Sequence, residues 1–351
     1  MDAKTPYISF VTISRNDDHG GNLIKRMQIF IDSLYSQCNR FSLPAELIIV
    51  EWNPPEGKKP LAEELTWPEE RKFLTTRIIT VPPEVHATFE NSDRIPLFQM
   101  IGKNVGIRRA KGEFIVATNI DILFSDELIE FLSRRELNGE SLYRADRIDI
   151  ISPFTPWMKK FFDLDPRGYL SNPDNFIRMN KKQGTISFAD RYDSLRQTLS
   201  YYSYKILNLK YRKGLSFFGS VHLNGCGDFT LLSKKSWLHL TGYPEFEIFS
   251  WNIDSLLLVT AYYAKIREID LKPPKNIYHI EHGAGSGWTP GKGESKLFER
   301  IEEKAIPYVS WEDFLIISHN LKRLARKFGL ITFNSPKWGL MDHELPEKII
   351  I

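Results

Sequence analysis

The sequence predicts an α/β protein. The expected architecture is a doubly wound, mostly parallel sheet with helices on both faces, a large insertion and a helical C-terminal extension. Three observations predict it. Residues 7–13, 46–50, 77–81 and 113–118 are near-continuous apolar runs, as strands covered on both faces are. Segments with helical spacing of apolar residues stand between these runs. Each run ends abruptly in polar residues or a Pro-Pro pair, and strand–helix alternation of this kind marks a parallel sheet between helical layers.

The elements follow in order. YISFVTI (7–13) ends in Ser14-Arg15-Asn16-Asp17-Asp18, and a helix over 20–36 carries Leu23, Met27, Phe30, Ile31 and Leu34 on one side. ELIIV (46–50) ends in Glu51-Trp52-Asn53 and is stopped by Pro54-Pro55; RIITV (77–81) is stopped by Pro82-Pro83. Leu97, Ile101, Val105 and Ala110 mark a helix over 97–110, EFIVAT (113–118) ends in Asn119-Ile120-Asp121, and another helix starts near Asp126. Residues 151–220 have weak periodicity and many aromatic and cationic residues, which reads as an insertion lying over the cleft as a lid. Regular structure returns with a strand at 228–232, helices near 234–241 and 252–265, and a strand at 276–280. Helices near 293–304 and 311–327 and a polar–aromatic tail complete the chain. The expected units are 1–150, 151–220, 221–290 and 291–351.

Composition excludes several classes. Among 351 residues, 47 Lys and Arg stand against 44 Asp and Glu, a net charge of +3, so no basic excess announces a nucleic-acid groove. Charged residues at 26% and hydrophobic ones at 42% exclude whole-chain disorder. Two cysteines, Cys38 and Cys226, supply neither a disulfide framework nor a zinc knuckle. MDAKTPYISF shows no cationic region followed by an apolar stretch, and no apolar run approaches ~18 residues. A cytoplasmic protein with reduced thiols is expected.

Ligands of such sheets bind beyond the carboxyl ends of the strands. That rule gathers Arg15, Glu51, Asn53, Asn119 and Asp121 around one cleft. Glu51 suits a base N–H or ribose hydroxyl, and Arg15 and Lys103 are cations suited to a diphosphate. Asp121 is a hard-oxygen ligand for a divalent ion, or else a cap on the next segment. His279 and His282 lie at the end of the strand at 276–280. Their spacing on a continuous strand points the rings to opposite faces, so binding one ion together requires the chain to turn at Glu281. One of them is expected as a metal ligand or a diphosphate contact, against the plainer reading of a histidine satisfied by ordinary hydrogen bonds, and the sequence does not choose between the two histidines.

The run Lys103-Asn104-Val105-Gly106-Ile107-Arg108-Arg109-Ala110-Lys111-Gly112-Glu113-Phe114-Ile115, followed by Asn119-Ile120-Asp121, resembles family 2 glycosyltransferases of the GT-A fold. Phe10-Val11-Thr12-Ile13-Ser14-Arg15-Asn16 is similar to that family's first strand and turn, and Glu46–Asn53 to its second strand and acidic nucleoside contact. Gly227-Asp228-Phe229-Thr230-Leu231-Leu232, with Trp237 and Gly242-Tyr243-Pro244-Glu245, is similar to its acceptor-side strand and turn. The resemblance covers roughly 7–135 and 224–288. Two motifs depart from it: the Asp-x-Asp pair is Asn119-Ile120-Asp121, and Trp251-Asn252-Ile253-Asp254-Ser255-Leu256 stands where Glu-Asp-x-Asp-Leu is usual.

The resemblance implies a transfer of sugar from a nucleotide-sugar donor to a hydroxyl of a glycan or glycolipid, metal-assisted and inverting, as in polysaccharide assembly. Residues 1–150 become the donor-binding half and 221–290 the acceptor-side half. Thr12, Ser14, Arg15, Glu51, Asn53, Lys103, Asn104 and Asn119 are implied donor contacts. Asp121 with His279 or His282 holds Mn²⁺ or Mg²⁺; imidazole favours Mn²⁺. Asp254 is the expected base, with Asp228 second. The competing reading of Asp254 is a helix-terminal acid that complements the dipole.

Other readings stay open. GAGSGW (283–288) is a mobile loop over the diphosphate or a plain connector. The basic aromatic stretches at 157–162 and 201–213 are candidates for peripheral membrane contact or for packing of the lid. A sugar nucleotidyltransferase would carry a different Gly-rich signature after the first strand. A degenerate, non-catalytic binding module is the main alternative, supported by the altered acidic motifs.

Overall fold

A computed structural model describes residues 5–150, 176–180, 184–187, 215, 217, 220–280, 282 and 295–350. The expected loop at 283–288 and the basic aromatic stretches at 157–162 and 201–213 lie outside these residues.

The first half alternates strands and helices: β1 (Ile8–Ser14), α1 (Leu23–Arg40), β2 (Ala45–Trp52), α2 (Leu61–Glu64), β3 (Leu74–Val81), α3 (Pro83–His86), α4 (Gln99–Arg109), β4 (Phe114–Thr118), β5 (Ile122–Phe124), α5 (Asp126–Ser133) and β6 (Ser141–Ile150). A hairpin, β7 (Phe176–Asn180) and β8 (Gly184–Ser187), extends β6. The second half holds β9 (Phe229–Ser233), α6 (Lys234–Leu240), α7 (Ile253–Tyr263), β10 (Arg267–Ile280), α8 (Ser295–Glu303), α9 (Trp311–Phe328) and β11 (Glu347–Ile350).

One sheet runs through all of it, in the order β11-β3-β2-β1-β4-β9-β6-β10-β5. The block β3-β2-β1-β4 is parallel throughout, and β10 lies parallel to β6. β9, β5 and β11 enter antiparallel. The strands of the first block are buried on both faces because helices cover both. On one face Phe10, Leu47 and Ile49 meet Met27, Phe30 and Leu34 of α1 and Leu128 of α5. On the other, Val11, Ile13, Ile48 and Val50 meet Ile101 and Val105 of α4, with Leu256 and Leu257 of α7 in the same cluster. α4 approaches β1 so closely that a Cβ on Gly106 would lie 2.4 Å from Val11 Cγ1.

β5, β6 and β11 are strands beyond those the sequence announces. β6 carries Arg144, Asp146, Arg147 and Asp149 among its apolar residues, which hides it from a reading based on apolar runs. β11 pairs with the free edge of β3, and Arg77 of β3 is held between Glu347 (2.7 Å) and Glu46 (2.9 Å). The tail before it straps the second half to α4. Asn334 Nδ2 donates to Thr241 and Tyr243 carbonyls, Gly339 N–H donates to Glu245, and Arg109 donates to three tail carbonyls. Among the described residues no helix is long and apolar enough to cross a membrane.

Candidate functional site

The site follows from strand register at the carboxyl end of the sheet. His279 of β10 is the register partner of Asp149 on β6 and of Ile122 on β5. Asp121 immediately precedes β5 and its carbonyl accepts from Ile280 N–H. A row Asp149–His279–Asp121 therefore crosses three neighbouring strands. His279 Nδ1 lies 2.7 Å from Asp149 Oδ1. Since the carboxylate can only accept, Nδ1 carries the proton and Nε2 turns toward Asp121, 3.9 Å away.

His282 joins from beyond the end of β10, with Nε2 3.0 Å from Asp121 Oδ2. The strand stops at Ile280, so the alternation that would part the two histidines ends before the second of them; the ring centroids are 5.4 Å apart. One ligand atom from each of Asp121, His279 and His282 lies within 4.8 Å of the others. Both histidines, not one, reach the acid.

A fourth group was not foreseen. Arg26 of α1, 1% exposed, donates from Nη1 to Asp121 Oδ2 at 2.7 Å and fastens the carbonyls of His19 and Gly21. This ties the loop between β1 and α1 over the site. Gly20 in that loop, at φ +75°, sits where a Cβ would be 2.3 Å from His282 Nδ1. Burial opposes ionisation of Asp121, but His282, His279 and Arg26 outweigh it and hold the carboxyl well below its usual range. Burial and Arg147 lower His279, yet the two flanking carboxylates win and its pKa is raised; burial wins at His282, which is lowered.

The donor set fits a divalent ion. It offers a hard carboxylate oxygen and two imidazole nitrogens, a mixture better suited to Mn²⁺ than to Mg²⁺. Asp149 behind His279 fixes the tautomer that turns Nε2 toward Asp121, an arrangement usual at metal-binding histidines. Arg26 is the one element that competes for Asp121.

A polar chain links this row to the second half. Arg147 donates to Asp149 (2.8 Å) and to Asp228 Oδ2 (2.6 Å). Asp228 Oδ1 accepts from Asn119 Nδ2 at 2.7 Å, Asn119 Oδ1 accepts from Gln99, and Gln99 accepts from Ser250. The amide at 119 thus has a physical reason: it must donate to a carboxylate, which a second carboxylate could not do.

Lys103 lies in α4 behind this chain, fully buried, its Nζ donating to the Gly227 carbonyl at 2.6 Å. Burial lowers its pKa to about 8, against the pull of Asp228 and Asp254. It stands within the field of Asp228, Asp254 and Asp121. Asp254 opens the first turn of α7, bonded by Ser255 N–H and packed against Gly227, whose Cβ would lie 2.8 Å from Asp254 Oδ2. Burial raises its pKa, with the Cys226 thiol, Ser255 and Lys103 offsetting only part.

The remaining expected contacts divide. Arg15 bridges the ends of β1 and β2 through the Asn53 carbonyl (2.7 Å), and Asn53 Nδ2 donates to Pro96 O. Ser14 and Glu51 are register partners, and Thr12 shares their face of the sheet. Among the described residues Thr12 Oγ1 and Ser14 Oγ are buried with no hydrogen-bond partner, while Glu51 accepts from Leu61 N–H at 2.8 Å and its pKa is raised by burial. Buried hydroxyls of this kind are uncommon, and both stand toward the carboxyl end of β1. Asn104 stands apart from them. Its amide donates to the Tyr243 carbonyl and Glu245 and accepts from Tyr243 N–H, so it holds the Gly242–Glu245 turn.

No protein-family model and no curated protein matches the chain. Among solved structures, residues 1–349 of TarS from S. aureus are similar at 13% identity and a TM-score of 0.42, covering 91% of this chain and 72% of that one. At that level of likeness nothing about chemistry or substrate passes from one chain to the other.

Proposed function

We propose that the chain is a glycosyltransferase that moves a sugar from a nucleotide-sugar donor to a hydroxyl of a glycan or glycolipid, with inversion. The observation that carries this reading is the convergence of Asp121, His279 and His282 at the carboxyl end of the sheet, beside Arg26 and across a polar chain from a carboxylate of raised pKa.

In this reading the nucleoside binds at the carboxyl ends of β1 and β2, where Thr12, Ser14 and Glu51 stand, with Arg15 beside it. Asp121, His279 and His282 hold Mn²⁺ or Mg²⁺, which supplies positive charge against the departing diphosphate. Arg26 adds a fixed cation from the other side of Asp121 and keeps the β1–α1 loop closed over the row. Asp254 takes the proton of the acceptor hydroxyl; a carboxylate raised by burial is a stronger base than one in water. Lys103 keeps that carboxylate ionised in a buried setting.

The test is thermal stabilisation by UDP-, GDP-, dTDP- and CMP-sugars with and without Mn²⁺. A ligand confined to the folded state adds about 2.7 kcal/mol at a hundredfold excess over its Kd. A shift for one nucleotide that requires Mn²⁺ supports the transferase; no shift for any of them overturns it. One observation favours a second reading, a binding module without turnover: Arg26 already neutralises Asp121. Donor binding that ignores Mn²⁺, with no transfer to any acceptor, would establish that alternative.

A further inference from the structure

From Phe314 to Met341 the sequence contains no acidic residue, yet it holds Lys322, Arg323, Arg326, Lys327 and Lys337. This stretch contributes +5 to a chain whose net charge is +3, so everything outside it sums to −2. Four of the five cations lie on α9, whose first turn also exposes Glu312 and Asp313, so the positive charge is concentrated in its last two turns. That helix buries Phe314, Leu315, Ser318 and Leu321 against the body of the protein. Its opposite side exposes His319, Asn320, Arg323, Arg326 and Lys327. Among the described residues, Arg323, Arg326 and Lys327 form no ion pair with an acid.

The same side also exposes a large apolar group, and the C-terminal end of the helix exposes a second, in line with the buried Phe314 and Leu321. Ile316 is 53% exposed and stands one and two turns before Asn320 and Arg323; Phe328, at the end of the helix, is 63% exposed. A helix that presents cations without acidic partners along one face, with Ile316 among them and Phe328 at its end, matches the two-part chemistry of an anionic bilayer surface: headgroups for the cations, the acyl boundary for the ring and branched chain. A soluble polyanion would use the cations and leave Ile316 and Phe328 in water.

The placement has a consequence for the site. Asn252, which caps α7 just before Asp254, donates to Val309 O, and Val309 directly precedes the Ser310 cap of α9. The helix of 18 residues, about 27 Å long, starts near the N-terminal end of α7 and packs against that helix. We propose that the exposed face and C-terminal end of α9 dock the protein on an anionic lipid surface, with Arg323, Arg326 and Lys327 on the headgroups and Ile316 and Phe328 at the interface. This inference stands independently of the transferase reading.

Co-sedimentation with vesicles tests it, comparing pure phosphatidylcholine with phosphatidylcholine–phosphatidylglycerol mixtures. Binding is expected to the anionic vesicles alone and to weaken as salt rises. Each cation near the surface is worth roughly a factor of five, so Arg323→Gln/Arg326→Gln/Lys327→Gln should weaken partition on the order of a hundredfold. Unchanged circular dichroism and melting temperature confirm that the triple variant is folded, as expected for exposed side chains. Phe328→Ser should weaken vesicle binding while leaving the salt dependence in place. Equal binding to neutral vesicles, no binding to either, or indifference to the triple variant overturns the proposal. Binding to soluble heparin as tight as to vesicles, untouched by Phe328→Ser, overturns it in favour of a soluble polyanion.

Discussion

His279 donates from Nδ1 to Asp149 across 2.7 Å and presents Nε2 to Asp121, so a buried acid on β6 sets the ligating atom of a histidine on β10. Removing the charge of Asp149 while keeping its shape loosens that control. Asp149→Asn should weaken Mn²⁺ binding by about 10–100-fold, the usual consequence of losing a partner behind a ligating histidine. Titration calorimetry with Mn²⁺ reads this directly. An unchanged affinity would mean that His279 is not a ligand.

Arg26 and a divalent ion compete for the same carboxylate. Arg26→Met leaves Asp121 buried without its guanidinium, and breaking a buried pair on one side costs about 3–5 kcal/mol. Urea unfolding without metal should show a loss of that order. Added Mn²⁺ should recover much of it in the variant and stabilise the wild type less. Equal stabilisation of both proteins would show that Arg26 and the ion do not share Asp121.

The sheet was legible because its first block is buried on both faces, which writes each strand as an apolar run: β1, β2, β3 and β4 all lie where Ile, Val and Phe cluster. β6 was not legible, because its buried Arg144 is satisfied by carbonyls about 80 residues away and its buried Asp149 by His279 as well as by Arg147 on the same strand. The site shows the same division. Asp121 and the two histidines stand at strand ends and could be named. Arg26 could not: it is a lone cation on the buried side of α1, between Leu23 and Phe30, and only the fold of the 15–22 loop brings it to Asp121. Asn104 fits a family motif, yet its amide serves a turn 139 residues away.

Asn119 makes a further prediction. Its Nδ2 lies 2.7 Å from Asp228 Oδ1, so Asn119→Asp would set two carboxylates against each other in a buried place. One of the two must then stay protonated, and the shared pKa rises. A raised carboxyl pKa makes the folded state bind more protons than the unfolded one, so stability falls as pH rises. The variant should approach wild-type stability in mild acid and lose roughly 2–3 kcal/mol in mild alkali. Urea midpoints at the two pH values measure it; restoration of an Asp-x-Asp pair with no loss of stability would contradict the role assigned to the amide.

Lys103 and Asp254 carry the final prediction. The folded pKa of Lys103, about 8, lies below its ordinary 10.5, so between these values the unfolded chain holds a proton that the folded chain has released. Stability therefore rises with pH across that window, and below about pH 8 the whole cost of burying the charge, roughly 3 kcal/mol, is present. Lys103→Met should abolish this rise. It should also leave Asp254 without its nearby cation, pushing a pKa already raised by burial further up. If Asp254 is the base, transfer rate increases with pH through that pKa, and Lys103→Met moves the limb to higher pH without changing donor affinity. Asp254→Asn should remove transfer while donor binding persists. A pH profile that stays put in Lys103→Met, or full transfer in Asp254→Asn, would take the base away from Asp254 and leave Asp228, pinned by Arg147 and Asn119, as the remaining acid on that side.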